Sequence, residues 1–588
     1  MRDVYTDSMS PRNVLWCVVA AGVVATGALA GPVRAQIIRD QGAVTATPAA
    51  PAGSAAQAGR RAQQEFERFR RSHLPHVNAA RPGNCDETVG RFCYWYNERQ
   101  VMPPEPKIIS EARDRFVATL DSLAKAEPAD RWITGQRIRY LDEAGRHQAA
   151  LDAARECTVG GWWCGILEGF ALHEIGEYAQ AERVYEKAIG TMLARDQCAW
   201  HDVTLLLDDD AHQQYRRYDC GDSRRREFEE RVWFLGRTLY AMPGNDTRTE
   251  WYARLTMAQF LTDAPSQYEF GFDDDERELM LRFGWERSWA LSRDGITGEE
   301  AMPAYRMIPA GFVINEPSLS DSANWRLQLP PVIARYGPPY ATVLKPLEHQ
   351  KAVFHRGDSA LVVLAYDSRT MPELAGAPIS ASLVVTPGTA PVGYVKTVRE
   401  APPVGTLMVK APWGPLLMSA EVAAPERHAV ARARYGVRPP YAVGTRVTLS
   451  DLLFYKPYGT FPSTVEEAAP HAVPTERLRA DEKLGVYWES YGTDPAGEKM
   501  NVSLTVVKEV EEAGFLRRKA EALKLVRQAT PVSVSVDDMS ARGASVSPRA
   551  IELDISTLKK GSYIVQLEIT VAGQYTVRAD HRIEIIAP

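Results

Sequence analysis

Apolar positions change their period along the chain, and with it the kind of element they predict. From Ile109 onward, Ala112, Phe116, Leu120 and Leu123 recur at helical spacing, and DRWITGQRIRYLDEAGRHQAALDAARE and GILEGFALHEIGEYAQAERVYEKAIGTM keep that spacing. A further helix is predicted from about Glu227 over EFEERVWFLGRTLYAM, and another over PGNDTRTEWYARLTMAQFL with Asn245 or Asp246 as its N-cap. GFDDDERELMLRFGW then reads as an acidic turn entering a buried strand over Leu279, Met280 and Leu281. Past Pro303 the texture becomes short β-rich runs broken by Pro and Gly. ALVVLAYD, ISASLVVTP, GTLMVKAP, PLLMSAEVAA and TRVTLSDLLFY form one set, and KLGVYWESYG, MNVSLTVVKEV, PVSVSVDD, RAIELDIS and the C-terminal run a second. KKG and AG are hairpin corners of the last piece, and a helical stretch at 511–529 is inserted between strands.

Two of the helical segments repeat each other at an offset of 31 residues. Gly145 and Gly176 close the first helix of each unit, Leu141 and Leu172 precede them by four, and His147 and Tyr178 follow by two. Ala150 with Ala154, and Ala181 with Tyr185, supply the face of the second helix. This resembles the tetratricopeptide repeat, whose small and aromatic positions let antiparallel helices pack closely and stack on the next pair. Two units over about 131–192 cannot bury a solenoid core alone, so flanking helices are expected to cap them.

A second resemblance follows the acidic turn. Gly271, Phe272, Asp274, Asp275, Arg282, Phe283 and Gly284 align without a gap to the pattern of the GWxTD domain, a module of exported bacterial proteins, and Asn245, Glu250 and Arg254 are similar to its preceding helix. Phe272 stands where the motif has Trp, Asp274 where it has Thr, Glu276 where it has Arg and Arg277 where it has Gly. The resemblance implies an envelope or secreted location with no assigned reaction. The β-rich tail also looks like the one that accompanies this domain.

The fold class expected is multidomain α + β. A signal peptide is assigned to 1–35, a flexible linker to 36–60, a tetratricopeptide-like helical domain to 61–226 and a mixed α/β GWxTD-like region to 227–305. A connecting segment at 306–339, an immunoglobulin-like β-sandwich at 340–455 and a second sandwich with a helical insertion at 456–588 complete the chain.

Composition narrows the function classes. A formal charge of -6 gives no basic field for a phosphate backbone, so nucleic acid is not expected as a partner. Arg2 and Arg12 precede a weakly apolar run ending near Ala30, and Val33 and Ala35 sit at small-residue positions, so cleavage after Ala35 and a periplasmic or secreted location are expected. The mature chain is expected to have no transmembrane segment. Beyond Cys17 in the signal, six cysteines fall in adjacent couples: Cys85 with Cys93, Cys157 with Cys164, and Cys198 with Cys220. In an oxidising compartment these read as local disulfides; neither the C-x-x-C of a thioredoxin-like site nor paired zinc spacings occur. The Cys157–Cys164 bond would lock the turn between repeats, with Trp162 and Trp163 packed in the seam or, alternatively, exposed to a ligand.

No catalytic residue, cofactor or metal site is predicted. LHEIGEY lacks the second imidazole of H-E-x-x-H, since Glu177 stands there, and the Asp runs at 208–210 and 273–275 lack the register of an EF-hand. Candidate binding residues are Trp162, Trp163, Phe272, Asp274, Asp275 and Arg282. The expected function is a non-enzymatic interaction or scaffold protein of the bacterial envelope, with a protein or envelope component as partner. The alternatives are an envelope-polymer hydrolase with acids from the Asp273–Glu276 turn, or a glycan-binding protein using exposed aromatics such as Trp162, Trp163 or Trp413.

Overall fold

The computed structural model describes residues 54–77, 87–94, 103–207, 209–262, 264, 272–294, 298–305, 338–387, 393–437, 447–494, 496–509, 532–540, 546–571 and 576–586. The signal peptide, most of the linker, Cys85 and the Cys93 side chain, nearly all of the connecting segment and the inserted helix at 511–529 lie outside them. The fold is mixed α + β, helical in its first half and built of sheets in its second.

In the first half, α1 (Ala55–Ser72) is followed by β1 (His76–Val77) and the hairpin of β2 (Glu87–Val89) and β3 (Phe92–Tyr94). After α2 (Lys107–Ala126) come two helix pairs, α3 (Arg131–Glu143) with α4 (His147–Arg155) and α5 (Gly161–Glu174) with α6 (Tyr178–Ile189). Then follow α7 (Ala194–His201), α8 (Asp209–Tyr215), α9 (Ser223–Gly236), α10 (Asp246–Thr262) and α11 (Asp274–Phe283). Gly145 and Gly176 take φ of 70° and 85° at the turns inside the two pairs, a left-handed conformation that favours glycine. Gly165 and Gly169 let α6 approach α5: a Cβ at Gly169 would meet the Tyr185 ring at 2.8 Å, and one at Gly165 the Ala188 methyl at 2.6 Å. Across both pairs lies α10, with thirteen of its seventeen residues buried against α3, α5 and α6. Its entry is capped by Asn245, whose Oδ1 accepts the Arg248 N–H at 3.1 Å.

Helix α1 begins six residues before Arg61, because the Ala-rich start of the segment continues the turn that buries Ala56 and Gly59. The acidic turn does not lead into a strand. Asp273 accepts the Glu276 N–H at 3.2 Å as N-cap, Asp274, Asp275 and Glu276 favour the positive end of the helix, and Gly284 at φ 97° closes it. Leu279 and Phe283, one turn apart, are buried with Val89, and Met280 and Leu281 are buried in the helical core, so the run is covered on two sides of a helix rather than lying in a strand.

Strands β4 (Glu286–Asp294) and β5 (Gly298–Tyr305) pair antiparallel, and β1 joins β4 in parallel. Two double-sheet units follow. The first contains β6 (Val343–Pro346), β7 (Glu348–Arg356), β8 (Ser359–Asp367), β9 (Ser380–Thr386), β10 (Tyr394–Val398), β11 (Val404–Pro412), β12 (Leu416–Ala424) and β13 (Ala429–Val437). Its sheets, ordered β10-β9-β12-β13-β6 and β11-β8-β7, share a core that includes Val353, Leu364, Leu383, Leu407 and Met418.

The second unit contains β14 (Thr448–Leu449), β15 (Leu453–Tyr455), the short α12 (Val465–Ala468), β16 (Arg477–Arg479), β17 (Lys483–Tyr491), β18 (Lys499–Lys508), β19 (Val532–Met539), β20 (Val546–Asp554), β21 (Gly561–Val571) and β22 (Val577–Ile586). One sheet is β14-β17-β15 with β20 on β17, the other β16-β22-β21-β18-β19. The run at 447–455, assigned from sequence to the first unit, belongs to the second: Leu453 to Tyr455 pair with Tyr487 to Gly485, and Leu449 and Phe454 enter the second core. Short apolar strands carry no mark of the sheet they will join, and here the register with β17 decides it.

Buried polar contacts join these cores. Arg434 of β13, 1% exposed, donates to the carbonyls of Leu235, Arg237 and Thr238 and to Glu421 of β12, with its guanidinium 3.6 Å from the Tyr240 ring centroid. Glu421 accepts the N–H groups of Tyr240 and Ala241 at 2.7 and 3.0 Å. Between the double sheets, Gln350 donates to the Phe454 and Val473 carbonyls and accepts the Phe454 N–H, and Arg356 grips Glu489 through two bonds of 2.6 and 2.8 Å.

Candidate functional site

One repeat apart, the first helices of both pairs end in a polar dipeptide, Asp142 and Glu143 on α3 and His173 and Glu174 on α5. Both dipeptides are largely withdrawn from solvent, so each needs partners on neighbouring elements. Asp142 accepts from His147 Nδ1 at 2.7 Å, across the turn that Gly145 forms. His173 uses both ring nitrogens, Nε2 with Glu250 Oε2 at 2.7 Å and Nδ1 with Thr249 Oγ1 at 2.9 Å. The other Glu250 oxygen takes Arg254 Nε at 2.9 Å, and Arg254 Nη1 donates to the Leu281 carbonyl at 3.0 Å, which ties α5 to α10 and α11.

Glu143 receives Arg113 Nε at 2.7 Å and Arg70 Nη2 at 2.5 Å. Arg70 is fully buried, 4.4 Å from the Trp289 ring centroid and 4.6 Å from that of Phe66. The Tyr140 hydroxyl donates to Glu67, and Gln63 donates to Gln136 and Tyr140. From β4, Arg287 reaches back to Glu174 at 2.8 Å and lies 3.9 Å from Asp142.

These surroundings move the protons. Burial, and then the neighbouring Glu174 carboxylate, hold the Asp142 carboxyl above the usual range. The hydrogen bond to Asp142 raises His147. At Glu143 burial also pushes upward, but Arg70 and Arg113 outweigh it and its carboxyl is held low. Burial works against the Arg70 charge, yet Glu143 and Glu67 keep it firmly protonated.

A cavity of about 50 Å³ opens beside this lattice, between Arg139, Asp142 and Glu143 on α3 and Trp285, Arg287 and Trp289 at and next to β4. The donor atoms of Asp142, His147 and Glu174 lie within 4.8 Å of one another, a set that a divalent cation accepts. Arg287 already sets a fixed positive charge against two of the three.

The residues named from sequence fall elsewhere. Trp163 is 5% exposed, edge-on to Phe260 and to Trp162, with its ring over Gly135. Trp162 is half-buried beneath the Arg131 guanidinium, 4.6 Å from the ring centroid. Both sit at the start of α5, about 15 Å along the helix from His173. Phe272 is half-buried against the helical core. Asp274 is exposed in the first turn of α11, Asp275 accepts the Arg91 N–H at 3.2 Å, and Arg282 pairs with Glu278 at 3.4 Å. Trp413 stands edge-on to His355, with ring centroids 4.4 Å apart. Cys157–Cys164 and Cys198–Cys220 are disulfides; Cys85 with Cys93 lies outside the described residues.

Asp142, Arg287, Trp285 and Trp289 were not singled out from the sequence, and Glu174 entered only as part of the failed H-E-x-x-H comparison. The signal for Asp142 and Glu174 was present: aligning the repeats sets Asp142 on His173 and Glu143 on Glu174, two consecutive polar residues where a helix face should be apolar.

No family model and no curated protein matches the chain. Among solved structures, a calcium-binding mutant of Bacteroides uniformis beta-glucuronidase 2 is 9% identical over 40% of this chain and 28% of its own, with a TM-score of 0.15. The same glucuronidase covalently bound to cyclophellitol-6-carboxylate aziridine gives 7% over 40% and 27%, also at 0.15. Red sea bream transglutaminase gives 11% over 51% and 40%, at 0.14. The chain spans well under half the length of these proteins, and likenesses this slight carry no argument about its fold or activity.

Proposed function

We propose that the chain is an exported, non-enzymatic interaction or scaffold protein of the bacterial envelope, built from tetratricopeptide-like helix pairs, a GWxTD-like region and two immunoglobulin-like sandwiches. The observation that carries this reading is the Arg434–Glu421 clasp, which fixes the helical half to the first double sheet through buried bonds rather than a linker. A body fastened in this way holds binding surfaces at a constant separation, which is what a scaffold requires. The two disulfides are compatible with an oxidising compartment, and among the described residues no helix is long and apolar enough to cross a membrane.

The inner face of the repeats is filled by the chain's own α10, so partner contacts belong on the outer surfaces. Edge strand β10 is a candidate, with Tyr394 42% and Val395 49% exposed on a sheet margin open to pairing. Cross-linking in the native envelope followed by mass spectrometry tests the reading. The expected result is a recurrent partner cross-linked to the outer faces; repeated recovery of none, together with measured turnover of an envelope polymer, would overturn it.

A further inference from the structure

The cavity beside the end of α3 holds buried donors that lack acceptors. Trp289 is 8% exposed and its indole N–H has no partner among the described residues, and Arg287, bound to Glu174 through Nη2, has none there for Nε. Arg139, 5% exposed, gives Nη1 to the neutral Gln136 amide oxygen at 3.2 Å. All three side chains line the cavity. On the same wall one oxygen of each carboxylate is engaged, Glu143 Oε1 by Arg70 and Arg113 and Asp142 Oδ1 by His147. None of these bonds reaches Trp289 Nε1 or Arg287 Nε, and a desolvated N–H left without an acceptor is costly enough to call for one.

The size and walls of the space narrow the choice. One water needs roughly 10–15 Å³ by this measure, so about 50 Å³ holds a few waters or one group of three or four heavy atoms. A carboxylate presents two coplanar oxygens, the geometry a guanidinium fork is built to meet. Trp285 and Trp289 offer aromatic walls to a short alkyl stem.

We propose that this cavity binds a small aliphatic monocarboxylate of acetate to propionate size, its oxygens accepting from Arg139, Arg287 Nε and Trp289 Nε1. The proposal stands on the cavity alone and is independent of the scaffold reading. Arg70 and Arg113, behind Glu143, offset the negative charge the ligand would otherwise meet.

The test uses the full oxidised chain. Acetate is titrated with saturation-transfer NMR and intrinsic tryptophan fluorescence as readouts, beside acetamide, its neutral isostere, and triglycine, which carries the same group at a peptide end. The expected result is saturable acetate binding, with acetamide at least about tenfold weaker. Trp289→Phe keeps the ring and removes the donor, and should weaken acetate about tenfold without altering circular dichroism. Equal or non-saturable responses to acetate and acetamide would overturn the proposal and leave the space to water. Triglycine binding more tightly than acetate would also overturn it, reassigning the pocket to a peptide end. If Trp289→Phe fails to fold, the acetate to acetamide ratio of the unmodified chain decides alone.

Discussion

Replacing Arg434 with methionine should loosen the helical half from the first double sheet. The guanidinium is 1% exposed and donates at 2.6 Å to the Arg237 carbonyl, at 3.1 Å to that of Thr238 and at 3.2 Å to Glu421. Truncation takes the guanidinium from buried Glu421 and leaves the Arg237 and Thr238 carbonyls only Arg432 Nη1, at 3.4 and 2.6 Å, and a broken buried pair typically costs about 3–5 kcal/mol. Glu421 would still receive Tyr240 N–H, Ala241 N–H and the Ser419 hydroxyl, so the low end, about 3 kcal/mol, is expected. With a urea slope of about 2–3 kcal/mol/M, the first unfolding midpoint should fall by about 1–1.5 M. Tryptophan fluorescence reads the transition, and limited proteolysis of the Leu235–Ala241 stretch reports undocking before global loss of circular dichroism. Arg432→Met is the internal control. Burial and the adjacent Arg434 push the Arg432 guanidinium down to about 9, so its charge weighs against the interface; its removal forfeits the 2.6 Å bond to the Thr238 carbonyl, but Arg434 still serves that carbonyl and the loss should be the smaller. A loss under about 1 kcal/mol for Arg434→Met, or a larger loss for Arg432→Met, would refute the clasp as the element that fixes the two parts.

Reduction separates the two disulfides by loop length: chain-entropy arithmetic gives about 2.5 kcal/mol for Cys157–Cys164 and about 3.4 kcal/mol for Cys198–Cys220, so a Cys198→Ser/Cys220→Ser double variant should show the larger drop in urea midpoint. His147 is raised by its bond to Asp142, so its stabilising proton is fully present below about pH 6.5 and is lost as pH rises through the raised folded value. The stability advantage of the natural chain over His147→Gln should therefore shrink between pH 5.5 and 8.5, measured by urea titration at each pH. Gly244→Ala should destabilise by about 2 kcal/mol or more, because φ is 79° and the new Cβ would stand 2.3 Å from the Ala179 backbone nitrogen; calorimetry reads the loss. Trp163→Ala should cost about 3–5 kcal/mol and Trp162→Ala much less, since only the first is in the core; equal losses would remove the packing account of the pair.

Much of the helical half is legible because its signals are local. Gly145 and Gly176 end their helices through their own backbone preference, and the alanines and aromatics of α4 and α6 sit at spacings that any helix reproduces. The same locality misleads at Leu279 to Leu281, where three consecutive apolar residues resemble a strand core while the deciding evidence is the Asp273 cap and the Gly284 stop on either side. The cavity was hidden for a different reason. Its walls come from α3, from Met257 and Leu261 of α10 and from residues at β4, the first and last more than a hundred positions apart, and no period within one segment joins Asp142 to Arg287.

The clasp shows how a correct pattern can still conceal an interface. Along β12 and β13 the alternation is regular: Met418, Ala420, Val422, Ala431 and Ala433 turn into the double-sheet core, and Ser419, Glu421, Arg432 and Arg434 turn away. A polar outward face on an antiparallel sheet ordinarily meets water. Here the carbonyls and N–H groups of Leu235 to Ala241 cover that face and use its charges as hydrogen-bond partners. That stretch leaves its own backbone groups unpaired at the end of α9, so the charged strand face supplies the bonds that a helix continuation would have made. The two conditions are complementary, and neither is visible from one segment alone. Removing the charged pair altogether with Arg434→Met/Glu421→Met should accordingly fail to restore docking, because the Tyr240 and Ala241 N–H groups would lose their acceptor and Arg432 alone would serve the Arg237 and Thr238 carbonyls; recovery of the natural urea midpoint in that double variant would show that apolar contact alone suffices.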